Sequence, residues 1–239
     1  MNLSNRIILT IMNQKTFSIL IFLVTIIKTE ICSIAQPADS IVNKTILFFD
    51  NFAKDPIGRF PTKWISNRPG EVVTLKNLPG KWFKMHSEGT YLPKLNQDLS
   101  TTFTVEFDFI YQTTSNGNNI TEFTLFTKPA NAENDALFPG SSGIKIVFET
   151  FIVSCLCYDN LNPNRKVSSE NRGKLIQANN IAKITIRVNQ QQLHILVNGF
   201  ECLSVPNCNE SNEAFNAVRF HLWGSEVEPL VGNFRIVKN

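Results

Sequence analysis

The chain has 239 residues, 19 of them phenylalanine, and a formal net charge of +3. With 18% charged and 43% hydrophobic residues it is neither a disordered polyelectrolyte nor a strongly basic chain. That balance excludes a general electrostatic attraction to nucleic acid or to an anionic membrane.

The N-terminal segment reads as a secretory signal. Lys15 precedes an apolar run from Phe17 to Ile27, interrupted by Ser18 and Thr25, and the small residues Ser33 and Ala35 set up cleavage before Gln36. The run falls short of the roughly 20 residues of a spanning helix. Cys32 raises a lipid-anchor alternative, but the acidic, bulky approach Thr29-Glu30-Ile31 suits lipoprotein processing poorly. Removing residues 1–35 takes away Arg6, Lys15, Lys28 and Glu30 and leaves a net charge of +1. The expected protein is exported (secreted, periplasmic or held in the outer cell envelope), with no transmembrane span after signal cleavage and no nucleic-acid partner. One domain is expected over residues 40–239.

The first strand centres on Ile46–Phe49 and runs into the turn-rich stretch "DNFAKDPIGRFPTKW". Asp50 and Asp55 there are candidate calcium ligands, because a hard cation gathers carboxylate and carbonyl oxygens. Asp-Pro also caps turns without metal. "EVVTLK" and "WFKMHS" follow as strands about an "NLPG" turn at 77–80. Between Thr101 and Gln112 the alternation is most regular: Phe103, Val105, Phe107, Phe109 and Tyr111 share one phase, Thr104, Glu106, Asp108 and Ile110 the other. "ITEFTLFT", "GIKIVFET" and "FIVSCLCY" read as strands, and 114–120, 131–143 and 159–174 as polar loops. Two alternating runs flank "NQQQ", Asn198-Gly199 marks a tight reversal, and "FNAVRFHLW" and "GNFRIVK" close the chain. No segment has the pattern of an amphipathic helix. Strands with one wet and one dry face must cover the dry one, which predicts an all-β, two-sheet antiparallel sandwich of jelly-roll type.

Several side chains could carry chemistry on such a scaffold. Glu106 and Asp108 stand two apart on one strand face, as a hydrolytic carboxylate pair would, although cross-strand charge pairing explains them equally. Arg219, His221 and Trp223 share the polar phase of "RFHLW" and could form a sugar platform, the indole stacking on the ring while Arg and His donate. Trp82 is a further ligand-binding candidate, whereas Trp64 reads as a packed anchor. Cys155, Cys157, Cys202 and Cys208 are disulfide candidates in an exported chain. Cys155 and Cys157 lie too close along one strand to pair comfortably. Cys202–Cys208 and cross-pairs to the Cys155/Cys157 strand are both allowed, and the spacing is weak for zinc. Asn43, Asn119 and Asn209 fit the glycosylation acceptor pattern. No nucleophile elbow, phosphate loop or dinucleotide fingerprint occurs.

The stretches "FFDNFAKDPIGRFPTKW", "PGEVVTLKNLPGKWFKMH", "LSTTFTVEFDFIY", "LHILVNGFECLSVP" and "VGNFRIVKN" together resemble a concanavalin A-like or laminin-G-like sandwich, similar to the module of Bacteroidetes OmpA-family envelope proteins. The resemblance covers roughly Ile46 to Lys238. It implies that Asp50, Phe52, Gly58, Phe60, Pro61 and Trp64 form a fold-defining corner, with metal as an option only. The E-x-D-x-x-E cluster of laminarinase-like relatives is partly echoed in "EFDFIY", where Tyr111 takes the place of the last Glu, and that departure argues against hydrolase activity. The expected function is therefore an exported, non-enzymatic module that binds a glycan or an envelope protein, with calcium as the one cofactor to consider. The alternatives are a β-glucan hydrolase using Glu106 and Asp108 and a structural envelope module without a small ligand.

Overall fold

A computed structural model describes residues 45–111, 120–127, 142–149, 152–158, 166–173, 175–223 and 228–238. The expected signal, the acceptors Asn43 and Asn119, and most of the expected loops at 114–120 and 131–143 lie outside them. Two antiparallel sheets form, as the alternation requires. The eight-stranded sheet runs in the order β13 (Phe200–Val205), β12 (Gln192–Val197), β11 (Ala182–Asn189), β6 (Thr102–Ile110), β15 (Leu230–Lys238), β4 (Leu78–Met85), β3 (Gly70–Leu75), with β1 (Thr45–Asp50) also on β15. The seven-stranded sheet runs β10 (Lys166–Arg172), β9 (Ile152–Tyr158), β8 (Gly143–Phe148), β7 (Ile120–Phe126), β14 (Ala217–Trp223), β5 (Thr90–Pro93), β2 (Trp64–Ser66). The chain is thus an all-β sandwich of two antiparallel sheets.

The dry phases face one another. Phe103, Val105, Phe107 and Phe109 from β6 meet Phe123 and Leu125 from β7 and Phe220 from β14 in one continuous core. Phe107 lies within 6.2 Å, centroid to centroid, of Phe109, Phe123, Phe148, Phe220 and Phe234. Most of these rings meet edge-on or tilted, the arrangements the ring quadrupole favours.

Three expectations change. The polar stretch at 159–174 includes a true strand, β10, which pairs residue for residue with β9 from Lys166↔Tyr158 to Arg172↔Ile152. An edge strand needs one paired side only, so polar composition does not forbid it. The short strands β2 and β5 were not legible because three or four residues show no period. At "NLPG" the reversal falls two residues earlier, at Lys76-Asn77, since Leu78 already pairs Leu75 in β4. By contrast Asn198 and Gly199 turn as expected, both in the left-handed region at φ 53° and 83°.

Candidate functional site

The polar phases point outward, and on the seven-stranded sheet they converge. The register aligns Arg219 of β14 with Thr124 of β7 and then Lys145 of β8, and aligns His221 with Glu122 and then Val147. Trp223 stands at the strand end opposite Ile120. Arg219, His221 and Trp223 therefore share one face, with Glu122, Thr124 and Lys145 beside them. Three of these are sheltered in spite of their outward phase: Thr124, Arg219 and Glu122 are 0%, 5% and 9% exposed.

Each polar group has a definable state. Lys145 Nζ lies 3.3 Å from Glu122 Oε1, a sheltered ion pair. The Arg219 guanidinium carbon stacks 4.7 Å from the Phe126 ring centroid. His221 Nδ1 and Thr90 Oγ1 share a 3.0 Å hydrogen bond, and the His221 ring meets the Trp223 indole edge-on at 4.4 Å. Burial first, and the Arg219 charge second, hold the His221 pKa below its ordinary value, so the ring favours the neutral form. The Thr124 hydroxyl is buried and has no hydrogen-bond partner among the described residues. Trp223 remains 53% exposed, an apolar plane beside a sheltered polar row. Glu122, Thr124 and Lys145 were not singled out from the sequence, although the alternation of "ITEFTLFT" and "GIKIVF" already puts them on the polar phase.

Trp82 does not join this face. It belongs to the other sheet, where it packs with Ile110 and Leu230 in a small outer cluster and is 2% exposed. Its ring lies so close over Gly232 that an added Cβ would stand 2.9 Å away. The ligand-binding expectation for Trp82 is corrected accordingly: the indole is a packed element with no face free for a ligand.

Glu106 and Asp108 lie across the sandwich from Trp223, on the outer face of the eight-stranded sheet. Glu106 is bonded to Arg235, and Asp108 accepts from the Asn233 amide at 2.6 Å. The two acids are thus cross-strand partners of β15 and share no groove with the Arg219 face.

The corner at Asp50 and Asp55 is built from hydrogen bonds. Asp50 accepts from the Phe52 N–H and from the Trp64 indole, both at 3.0 Å. Asp55 accepts from the Thr62 N–H at 3.0 Å and from the Thr62 hydroxyl at 2.9 Å. The Lys81 ammonium donates to the carbonyls of Ala53 and Asp55 at 3.0 and 2.6 Å, holding the oxygens that a calcium ion at this turn would need. As placed, both carboxylates are engaged by protein donors. Among the described residues no group of three or more His, Cys, Asp or Glu side chains is placed to hold a metal.

Cys157 and Cys208 form a disulfide between β9 and the segment after β13, which rules out both the Cys202–Cys208 pairing and a four-thiolate zinc site. Cys155 and Cys202 are free thiols. Asn209 is buried, and its amide donates to the Glu213 carbonyl at 2.9 Å, so it is poorly placed as a glycan acceptor.

No family model and no curated protein sequence matches the chain. Solved structures do. The metal-free Emp46p carbohydrate recognition domain is similar with a TM-score of 0.56 at 11% identity, over 80% of this chain and 94% of that one. A legume lectin-like domain from Entamoeba histolytica gives 0.54 at 14%, over 74% and 90%. The binding domain of botulinum neurotoxin DC, solved with rat synaptotagmin II, gives 0.56 at 13%, over 80% of this chain and 48% of that one. The fold is a concanavalin A-like, lectin-type antiparallel sandwich. Among the described residues no helix is long and apolar enough to cross a membrane.

Proposed function

We propose that this chain is an exported, non-enzymatic carbohydrate-binding sandwich that receives a sugar on the outer face of its seven-stranded sheet. The observation that carries the reading is the polar row of Arg219, Thr124, Glu122 and Lys145 beside the half-exposed Trp223 indole. The Lys145–Glu122 ion pair and the His221–Thr90 hydrogen bond fix the polar groups beside the indole, and Lys145 and His221 are the ones only half-buried. In this reading the Trp223 plane stacks on the apolar face of a sugar ring, while the Lys145 ammonium and the His221 Nε2 meet its hydroxyls. Fold likeness to a carbohydrate recognition domain and a legume lectin-like domain supports it. The N-terminal signal pattern supports export, and the sequence resemblance supports a cell-envelope setting. No resident metal enters the reading, since the Asp50–Asp55 corner is already occupied by protein donors.

The test is a glycan-array screen of the mature protein, repeated with Trp223→Ala. A weakening of roughly tenfold or more, about 1.4 kcal/mol, is expected. Undiminished binding would overturn the platform. Capture of a protein in place of any glycan, again lost in Trp223→Ala, would favour the surface-partner reading. The half-exposed indole favours that second reading, because large aromatics anchor protein interfaces as readily as sugars.

A further inference from the structure

The outer face of the eight-stranded sheet holds a depression of about 240 Å³ lined by Phe49, Glu106, Asp108, Lys183, Asn233 and Arg235. Three features set it apart from an ordinary charged strand surface. An irregularity falls within it: β15 shifts register between Gly232 and Arg235, around the lining residue Asn233. Bulges re-aim side chains, and they gather at sheet rims and beside functional sites. Next, Asn233 is held at φ 48°, a left-handed conformation that a residue with a side chain adopts at a cost, and its amide is thereby aimed at Asp108 Oδ2, 2.6 Å away. Finally, Phe49 stays 42% exposed at the rim, and the exposed Lys183 ammonium makes no ion pair among the described residues.

The chemistry defines the ligand class. Two carboxylates face two cations, so the depression has no net charge to offer an ion. Arg235 engages Glu106, but Asp108 keeps lone pairs beyond the one the Asn233 amide takes. Carboxylate acceptors, amide and ammonium donors and one aromatic plane suit a ring with hydroxyls on its rim and C–H groups on its face. The volume lies below the roughly 300–1,000 Å³ of pockets for larger ligands, which limits the occupant to one ring.

We propose that this depression is a second saccharide site, taking a single neutral sugar ring such as the terminal residue of a glycan. It stands on its own residues and does not rest on the Trp223 reading. Because it lies on the opposite face of the sandwich, one chain with both sites bridges two glycans without oligomerising.

The test is an amide-detected NMR titration of the mature chain with the methyl glycosides of glucose, galactose, mannose, N-acetylglucosamine, xylose and fucose at millimolar concentration. At least one glycoside should shift the amides of β1, β6 and β15 around the depression. Binding there should weaken about tenfold or more in Phe49→Ala and in Asp108→Ala and stay unchanged in Trp223→Ala. Lys183→Ala, at an exposed position where substitution costs little stability, should weaken binding in the same direction. The proposal is overturned if no glycoside moves those amides, if the shifts are confined to β7 and β14, or if binding survives all three local substitutions.

Discussion

The indole N–H of Trp64 donates to Oδ2 of Asp50 at 3.0 Å, tying the end of β1 to the start of β2 across the opening turn. Both residues are buried, and the Trp64 ring packs against Phe48, Phe52, Phe83, Phe220 and Phe234. The two acids, two prolines, glycine and tryptophan behind the first strand are therefore a corner brace. Trp82, equally buried, has an indole N–H without a partner among the described residues. Trp64→Phe should cost about 2 kcal/mol more than Trp82→Phe, since only the first strips a bond from a buried carboxylate. Denaturant unfolding of the two variants measures this, and equal losses would remove the special role of the Asp50 bond.

Burial outweighs the donors around Asp50 and raises its pKa above the ordinary 3.8. A carboxyl raised by folding binds its proton more tightly in the native state, so its linkage contribution is full below 3.8 and declines as pH climbs through the folded value. The stability advantage of the native protein over Asp50→Asn should shrink with rising pH across that window. Unfolding midpoints of both proteins against pH would show it, and an advantage that grows with pH contradicts the sign.

His221 is displaced the other way, by burial first and then by the Arg219 charge. Its ring-proton NMR titration should fall below 6.5, and Arg219→Gln should move the midpoint upward by removing the nearby cation. Native stability from this group is present above the unfolded pKa and is lost as pH falls through the folded one. A midpoint unmoved in Arg219→Gln would mean the two side chains are electrostatically independent.

The Cys157–Cys208 bridge closes a sequence separation of 51 residues. Removing it with Cys157→Ala should cost about 3–4 kcal/mol on loop-entropy grounds. Burial pushes the Cys155 and Cys202 thiols up to about 11, so both should resist alkylation in the native state and react on unfolding without reductant. Peptide mapping by mass spectrometry separates them, and rapid native-state labelling of Cys155 would contradict its burial.

Gly232 sits under the Trp82 ring where the register of β15 breaks. Gly232→Ala should destabilise by about 1–3 kcal/mol through overpacking. Pairing it with Trp82→Phe should recover part of that loss, which a double-mutant cycle measures directly.

Much of this architecture was readable residue by residue. Thr101–Gln112 announced β6 and its two faces, and "RFHLW" placed Arg219, His221 and Trp223 together because a strand alternates strictly. What escaped were elements too short or too polar to show a period: β2, β5 and the edge strand β10. Trp82 misled because alternation assigns a phase but not a cover. It does point outward, yet Ile110, Leu230 and the bare backbone of Gly232 give it a packed seat.

Local order in the chain determined which side of each strand is oily, where the hairpins turn, and that two layers must close over a phenylalanine-rich interior, because side-chain direction repeats every second residue. Only the folded arrangement decided which strands lie side by side. It alone lined up Thr124 and Lys145 across from Arg219, sent Glu106 and Asp108 to the far surface, and matched Cys157 with Cys208. Such juxtapositions come from pairings between distant segments, and no periodicity within a single segment encodes its neighbour.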